Sequence, residues 1–221
     1  MNRYFTLSIA MLIMGLVACQ HKMNQPVTTE SNTLEKLLQG NNRFAAAHPL
    51  HPDESRQRMG EIAKGQHPFA VVISCSDSRV PPELIFDQGL GDLFVIRTAG
   101  NLVGGLEIGS VEYAVEHLQV PLIVVLGHEQ CGAIKAFVDG SEAPGHIKDI
   151  IDSIKAEPEI SSIAKDDKDR LVHCIEANLR HVTLQLQVQS FIIREKIEKG
   201  ELRIVTGKYD LEKGAVTLLK Q

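Results

Sequence analysis

The stretch CSDSR, Cys75 to Arg79, sets a thiol, a carboxylate and a guanidinium on alternate positions. About fifty residues later, HEQC adds an imidazole at His128 and a second thiol at Cys131. Two cysteines and one histidine form a borderline-soft donor set that suits zinc. With three protein ligands and an open fourth position such a zinc is catalytic, because its bound water loses a proton at about pH 7 instead of about 16. A fourth protein ligand closes the site and makes it structural. Asp77 decides between the two. Either it completes the tetrahedron, or Arg79 holds it off the metal through two parallel hydrogen bonds. In the second case Asp77 accepts a hydrogen bond from zinc-bound hydroxide and fixes the attacking lone pair. The spacing of His128 and Cys131 predicts that both lie on one side of a helical first turn.

Other readings of these residues stand beside this one. Cys75 and Cys131 could form a disulfide, which would leave His128 and the Asp77/Arg79 pair without a task. A Cys followed by an Arg also suggests an anion-wrapping loop. Such loops need five intervening residues, and here there are three, Ser76 to Ser78. Cys174 lies in the middle of an apolar helical pattern and reads as a small packed residue. His173 and His181 read as ordinary helix histidines.

The elements that position the candidates follow from apolar patterning. The runs at 69–74, 93–96 and 122–126 are continuous and largely β-branched, as strands buried on both faces of a parallel sheet are. The amphipathic segment 106–118 reads as a right-handed crossover helix between the second and third. A helix starting at Asn32, with Asn32 and Glu35 as N-cap and capping-box partner, precedes them, and another spans Glu54 to Lys64. A long helix is predicted over about 165–199, with Leu171, Ile175, Leu179, Val182 and Leu186 on one face. Two strand-like pieces, LRIVTGKYD and AVTLL, close the chain around a Glu-Lys-Gly turn. The predicted class is α/β, a mainly parallel central sheet flanked by helices with a C-terminal strand pair at its edge. The zinc site then falls at the carboxyl ends of the strands, where such sheets gather ligands.

The chain has 221 residues, enough for one domain with a substantial core. Its net charge is −5 and scattered, with no basic stripe, so nucleic acid is not an expected partner. Residues 1–19 carry Arg3, an apolar run from Phe5 to Val17 and then Cys19, the layout of an export signal. The ending LVAC resembles the lipobox of bacterial lipoproteins. That implies cleavage before Cys19 and lipidation of its thiol, unless Cys19 is an incidental cysteine near an ordinary cleavage site. Gln20 in the next position favours, by the same resemblance, the outer membrane. The expectation is an exported protein, lipid-anchored at the periplasmic face. Residues 20–31 read as a polar tether and 32–221 as a single catalytic domain. Without Cys19 three cysteines remain, so full disulfide pairing within one chain is impossible.

CSDSR followed by HEQC and Gly132 resembles the signature of the β-class carbonic anhydrases. LLQGNNRF, DLFVIRTAGN, SVEYAVEHL and TGKYDLEKG resemble further segments of that family. The resemblance implies one zinc per subunit, reversible hydration of carbon dioxide to bicarbonate and a proton, and a homodimer or higher homo-oligomer. It assigns Cys75, His128 and Cys131 as ligands, with Asp77 a possible fourth in a closed state, and Asp77 with Arg79 as the catalytic dyad. Gln66 would reach the substrate from the dimer neighbour. Phe94, Ala99 and Tyr113 would line the substrate slot, Ala99 at a place where many relatives carry Val, and Gly132 would offer a backbone N–H to the bound oxyanion. Val72 stands where members with a bicarbonate-stabilised closed state carry Trp, so the site is expected to be open at neutral pH. Arg97 and Tyr209 stand where other parts of that regulatory pocket lie. Hydrolysis of carbon disulfide or carbonyl sulfide on the same fold, or a lipoprotein with a purely structural zinc, are the alternatives.

Overall fold

The structure, a computed structural model, describes residues 29–220. The signal, Cys19 and nearly all of the tether lie outside the described residues. Helix α1 (Thr29–Ala45) begins before Asn32, which lies inside it and does not cap it. Helix α2 (Arg56–Ile62) is shorter than expected because Ser55, in extended conformation, caps it by accepting the Arg58 N–H at 3.0 Å. Strand β1 (Ala70–Cys75) ends on the first candidate ligand. Helix α3 (Pro82–Ile85), strand β2 (Leu93–Thr98) and a 3-10 turn (Ala99–Asn101) lead into the crossover helix α4 (Gly105–Glu116). Strand β3 (Leu122–His128) ends on the second ligand, and α5 (Gly132–Val138) starts directly after the third.

The later half departs further from the sequence reading. Helices α6 (Ile147–Lys155) and α7 (Pro158–Ser161) are unforeseen. The expected long helix is two, α8 (Arg170–Gln189) and α9 (Phe191–Glu198). The break is at Ser190, whose backbone turns extended (φ −110°, ψ 115°). Its hydroxyl accepts the Ile193 N–H at 3.1 Å and donates to Glu112 at 2.6 Å, so it restarts the chain as an N-cap and ties it to α4. Strands β4 (Arg203–Tyr209) and β5 (Val216–Leu218) close the chain as an antiparallel pair. Among the described residues no helix is long and apolar enough to cross a membrane.

The five strands lie in the order β2-β1-β3-β4-β5, with β1 to β4 parallel. Successive connections leave β1 on opposite sides, so the switch in strand order falls between β1 and β3, where open α/β sheets form a crevice. These two strands are buried along their whole length. Each buried Val, Leu or Ile there contributes about 1.5–3 kcal/mol relative to exposure. The candidate ligands therefore sit on the ends of the most firmly anchored strands. Helix α8 packs across β3 and β4, and α4 against β2.

Candidate metal centre

Cys75, the last residue of β1, has its neighbour Ser76 tied to β2 by an N–H donated to the Thr98 carbonyl at 3.0 Å. His128 is the last residue of β3, and Cys131 is the N-cap residue of α5. The link between them is a tight turn with Gln130 left-handed (φ 52°), not the helical turn that their spacing suggested. The imidazole and two sulfurs converge so that their ligand atoms lie within 4.8 Å of one another. All three residues are buried, and all three described cysteines are free thiols, so the disulfide reading fails.

The donor chemistry fits a zinc ion. His128 Nδ1 lies 2.7 Å from the Glu129 carbonyl, so Nδ1 carries the proton and Nε2 keeps its lone pair. That Nε2 is buried with no hydrogen-bond partner, a cost several-fold larger than an ordinary hydrogen bond unless a cation meets it. Cys75 is held well below the usual thiol range because the Cys131 thiol donates to it, and Cys131 is driven up for the same reason. Two sulfurs sharing one proton are already halfway to the pair of thiolates that zinc takes.

Asp77 faces Arg79. Arg79 Nε donates to Asp77 Oδ1 at 2.9 Å and its second guanidinium nitrogen to Oδ2 at 2.7 Å, while the Arg79 backbone N–H donates to Oδ1 at 3.0 Å. This fork holds the Asp77 carboxyl far below the usual carboxylate range. Its Oδ2 is still 3.9 Å from His128 Nε2, close enough to border the metal position.

The loop carrying the pair is pinned from β2. Arg97 donates from Nε to the Cys75 carbonyl at 3.0 Å and from its terminal nitrogen to the Asp77 carbonyl at 2.6 Å. Gly100, left-handed at φ 70°, aims its N–H at Cys75 Sγ at 3.3 Å. Its carbonyl accepts from Asn178 Nδ2 on α8 at 2.9 Å. Next along α8, Leu179 fills the space beside Gly127, where a Cβ would come within 2.8 Å of its methyl groups. The roles of Gly100 and Asn178 escape sequence reasoning. A signal for Asn178 exists: it is a polar residue on the apolar stripe between Ile175 and Val182, and it is buried.

The remaining candidates divide by location. Gly132 opens α5 beside Cys131, and a Cβ there would meet nothing within 4 Å, so the side on which a side chain would stand is open. Ala99 lines a cavity of about 510 Å3 whose walls include none of the three ligands. Phe94 pairs with Val71, whereas Cys75 pairs with Thr98, so Phe94 lies about 13 Å back along the sheet from the ligand end. Its ring meets that of Tyr113 at 6.3 Å, and Tyr113 is half exposed. Gln66 is exposed and precedes β1, at the end opposite Cys75. One chain therefore does not bring Gln66, Phe94 or Tyr113 to its own ligands.

Comparison with known proteins gives consistent matches. The sequence model of the family described as Carbonic anhydrase matches residues 70–216. Carbonic anhydrase 2 of Mycobacterium tuberculosis is 40% identical over 197 residues, covering 87% of this chain and 94% of that protein. A carbonic anhydrase of Mycolicibacterium smegmatis is 42% identical over 186 residues, 82% of this chain and 89% of that protein. Among solved structures, the β-carbonic anhydrase CcaA superposes with a TM-score of 0.67 at 28% identity, over 85% of this chain and 95% of that one. One of two tetrameric β-carbonic anhydrases from Sordaria macrospora gives 0.66 at 28% identity, over 86% of this chain and 98% of that one.

Proposed function

Since this chain belongs to the β-class carbonic anhydrase family, we propose that it hydrates carbon dioxide reversibly to bicarbonate and a proton at a zinc held by Cys75, His128 and Cys131. The observation that supports this most directly is the convergence of those three ligand atoms within 4.8 Å, with the Asp77/Arg79 fork beside them. When bound, zinc supplies the Lewis acidity that brings the pKa of a coordinated water to about 7.

The chain's own residues do the rest. Arg79 occupies both oxygens of Asp77, which supports an open fourth position and leaves Asp77 as acceptor for the hydrogen of the attacking oxygen. The acceptor fixes the direction of the remaining lone pair. Carbon dioxide has no charge to grip, so it needs a small apolar slot with a few placed donors. The Gly132 N–H is one such donor, and Ala99, beside the Gly100 whose N–H meets Cys75 Sγ, is a wall. Gln66, Phe94 and Tyr113 complete the slot from a second copy, since they lie too far from the ligands of their own chain. The functional unit on this reading is a homodimer or a larger assembly of dimers.

Stopped-flow carbon dioxide hydration on the protein beginning after Cys19 tests this. Rapid hydration that Asp77→Ala abolishes, with zinc still stoichiometric, is the expected result. A zinc-loaded protein no faster than that variant would mark the metal as structural, and a neutral-pH zinc structure with Asp77 on the metal would remove the open state.

Export and lipid anchoring through Cys19 are proposed on the sequence of the first residues alone. Cys19→Ser should move the protein from the membrane to the soluble fraction. Unchanged partitioning would overturn the anchor.

A further inference from the structure

A cavity of about 580 Å3 lies between the second half of α8, the end of α9, strand β4 and the residues that follow β5. It has the size of a small-ligand pocket, and none of the three candidate metal ligands lines it. Its floor is apolar. Ile204 of β4 is buried and shares a sheet face with Thr206, while Ile197 of α9 and Leu219 line the space half-buried. Leu184 of α8 lines it too and is 46% exposed, so solvent reaches an apolar wall.

The charges around this floor are mainly of one sign. Arg180 of α8, Arg203 of β4 and Lys220 line the cavity, and all three are exposed. Arg203 and Lys220 make no ion pair among the described residues. Arg180 has the weaker share of Glu176, at 3.4 Å, because the other Glu176 oxygen takes Lys208 at 2.7 Å. Glu159 is the one acid in the lining among the described residues, and it is bonded to His181 at 2.9 Å. Glu157, between α6 and α7, is 2% exposed and lines a different cavity. Burial pushes its carboxyl up to about 8, with the charge of Glu159 adding to the effect, so at pH 7 it lends this corner little negative charge. The uncharged polar groups are spent on each other: the Thr183 and Thr206 hydroxyls meet at 2.9 Å, and Gln187 donates its amide to the Thr183 carbonyl at 3.2 Å. In a chain of net charge −5, three cations against one acid make a local field that favours anions.

We propose that this cavity binds a medium-chain alkyl carboxylate, its chain against Leu184, Ile197, Ile204 and Leu219 and its charge among Arg180, Arg203 and Lys220. A guanidinium fork matches the two oxygens of a carboxylate, and an ammonium adds a mobile point charge. The two halves of such a ligand answer two features that neither half answers alone. A small anion leaves the apolar floor wet, and a neutral chain leaves the cations without a counter-charge.

Methyl NMR of the full chain, titrated with octanoate at pH 7, both locates and measures the binding. The methyl signals of Leu184, Ile197, Ile204 and Leu219 should move together, and affinity should rise about fourfold for each methylene added from butanoate to octanoate. Octanoate should bind at least about tenfold more tightly than the neutral 1-octanol, by a margin that narrows as salt screens the exposed cations. Octylammonium should bind more weakly than either. Arg203→Gln combined with Lys220→Gln, at two exposed positions, should lower octanoate affinity at least about tenfold and leave 1-octanol unchanged. Octanoate that leaves those four methyl signals unmoved, equal affinity for octanoate and 1-octanol, or undiminished binding in the double variant would each overturn the proposal. The methyl shifts and the octanol comparison need no variant, so they decide the matter even if the double substitution folds poorly.

Discussion

Asn178 and Gly100, 78 residues apart, meet side-chain amide to backbone carbonyl at 2.9 Å, and Gly100 turns its own N–H onto the sulfur of Cys75. A helix that carries no candidate ligand thus sets the surroundings of one, the Cys75 sulfur. Outer-shell partners of this kind change metal affinity by about 10- to 100-fold.

Asn178→Leu, which keeps the volume and removes the amide, should lower zinc affinity by about tenfold or more in competition with a chromophoric chelator. It also strands the buried Gly100 carbonyl, which should cost about 1–3 kcal/mol in denaturant unfolding. Unchanged zinc retention would show that the contact is only structural.

Arg79→Leu removes the fork on Asp77. The Asp77 carboxyl, now far below its usual range, should titrate upwards towards about 4 when followed by carboxyl NMR. A depressed carboxyl stabilises the fold above its unfolded pKa and loses that contribution as pH falls through its folded value. The variant should thus be less sensitive to acid than the parent over that range. Hydration should fall on the order of 100-fold, because the acceptor is no longer oriented.

Hybrid assemblies test the shared slot. Gln66→Ala and His128→Ala should each be slow alone. Mixed at random as dimers, about half are hybrids with one intact site of two, so activity should return to about a quarter of the parent value. No recovery after verified subunit exchange would place Gln66 outside the partner's site.

Glu157→Gln should change how stability depends on pH. The Glu157 carboxyl is raised from 4.5 to about 8 in the fold, so the native state holds a proton that the unfolded chain has lost between those values. Stability from this residue is full at acid pH and declines as pH rises through that window, by on the order of a few kcal/mol. The variant should flatten the decline in urea unfolding compared at pH 5 and pH 8.5.

Much of the site was legible because its strands are buried on both faces. Continuous runs such as VVI and LIVVL cannot be half-exposed, so their ends, and the candidate ligands on those ends, could be placed from sequence. The interruption at Ser190 was not legible, since the apolar period carries on across it, and its extended backbone, its cap on Ile193 and its bond to Glu112 emerge only in the fold. Glu157 gave no signal either: in sequence it is one acid among many, and its isolation comes from α6 and α8 closing over it. The turn at Gln130 shows the limit of spacing arguments, because a left-handed residue brings His128 and Cys131 together as well as a helix would.

Gly127 and Leu179 couple the two halves of the centre. Gly127 precedes His128 on β3, and Leu179 follows Asn178 on α8, so one contact sets both the strand end and the helix that reaches Gly100 and Cys75. A methyl group at position 127 would meet the Leu179 side chain at 2.8 Å, so that side chain must turn aside or α8 must shift, and any shift of α8 is passed to His128 through this contact and to the Cys75 sulfur through Asn178. Positional errors at the nitrogen and sulfur ligands are therefore correlated, and a chain that slips at this contact loses both together.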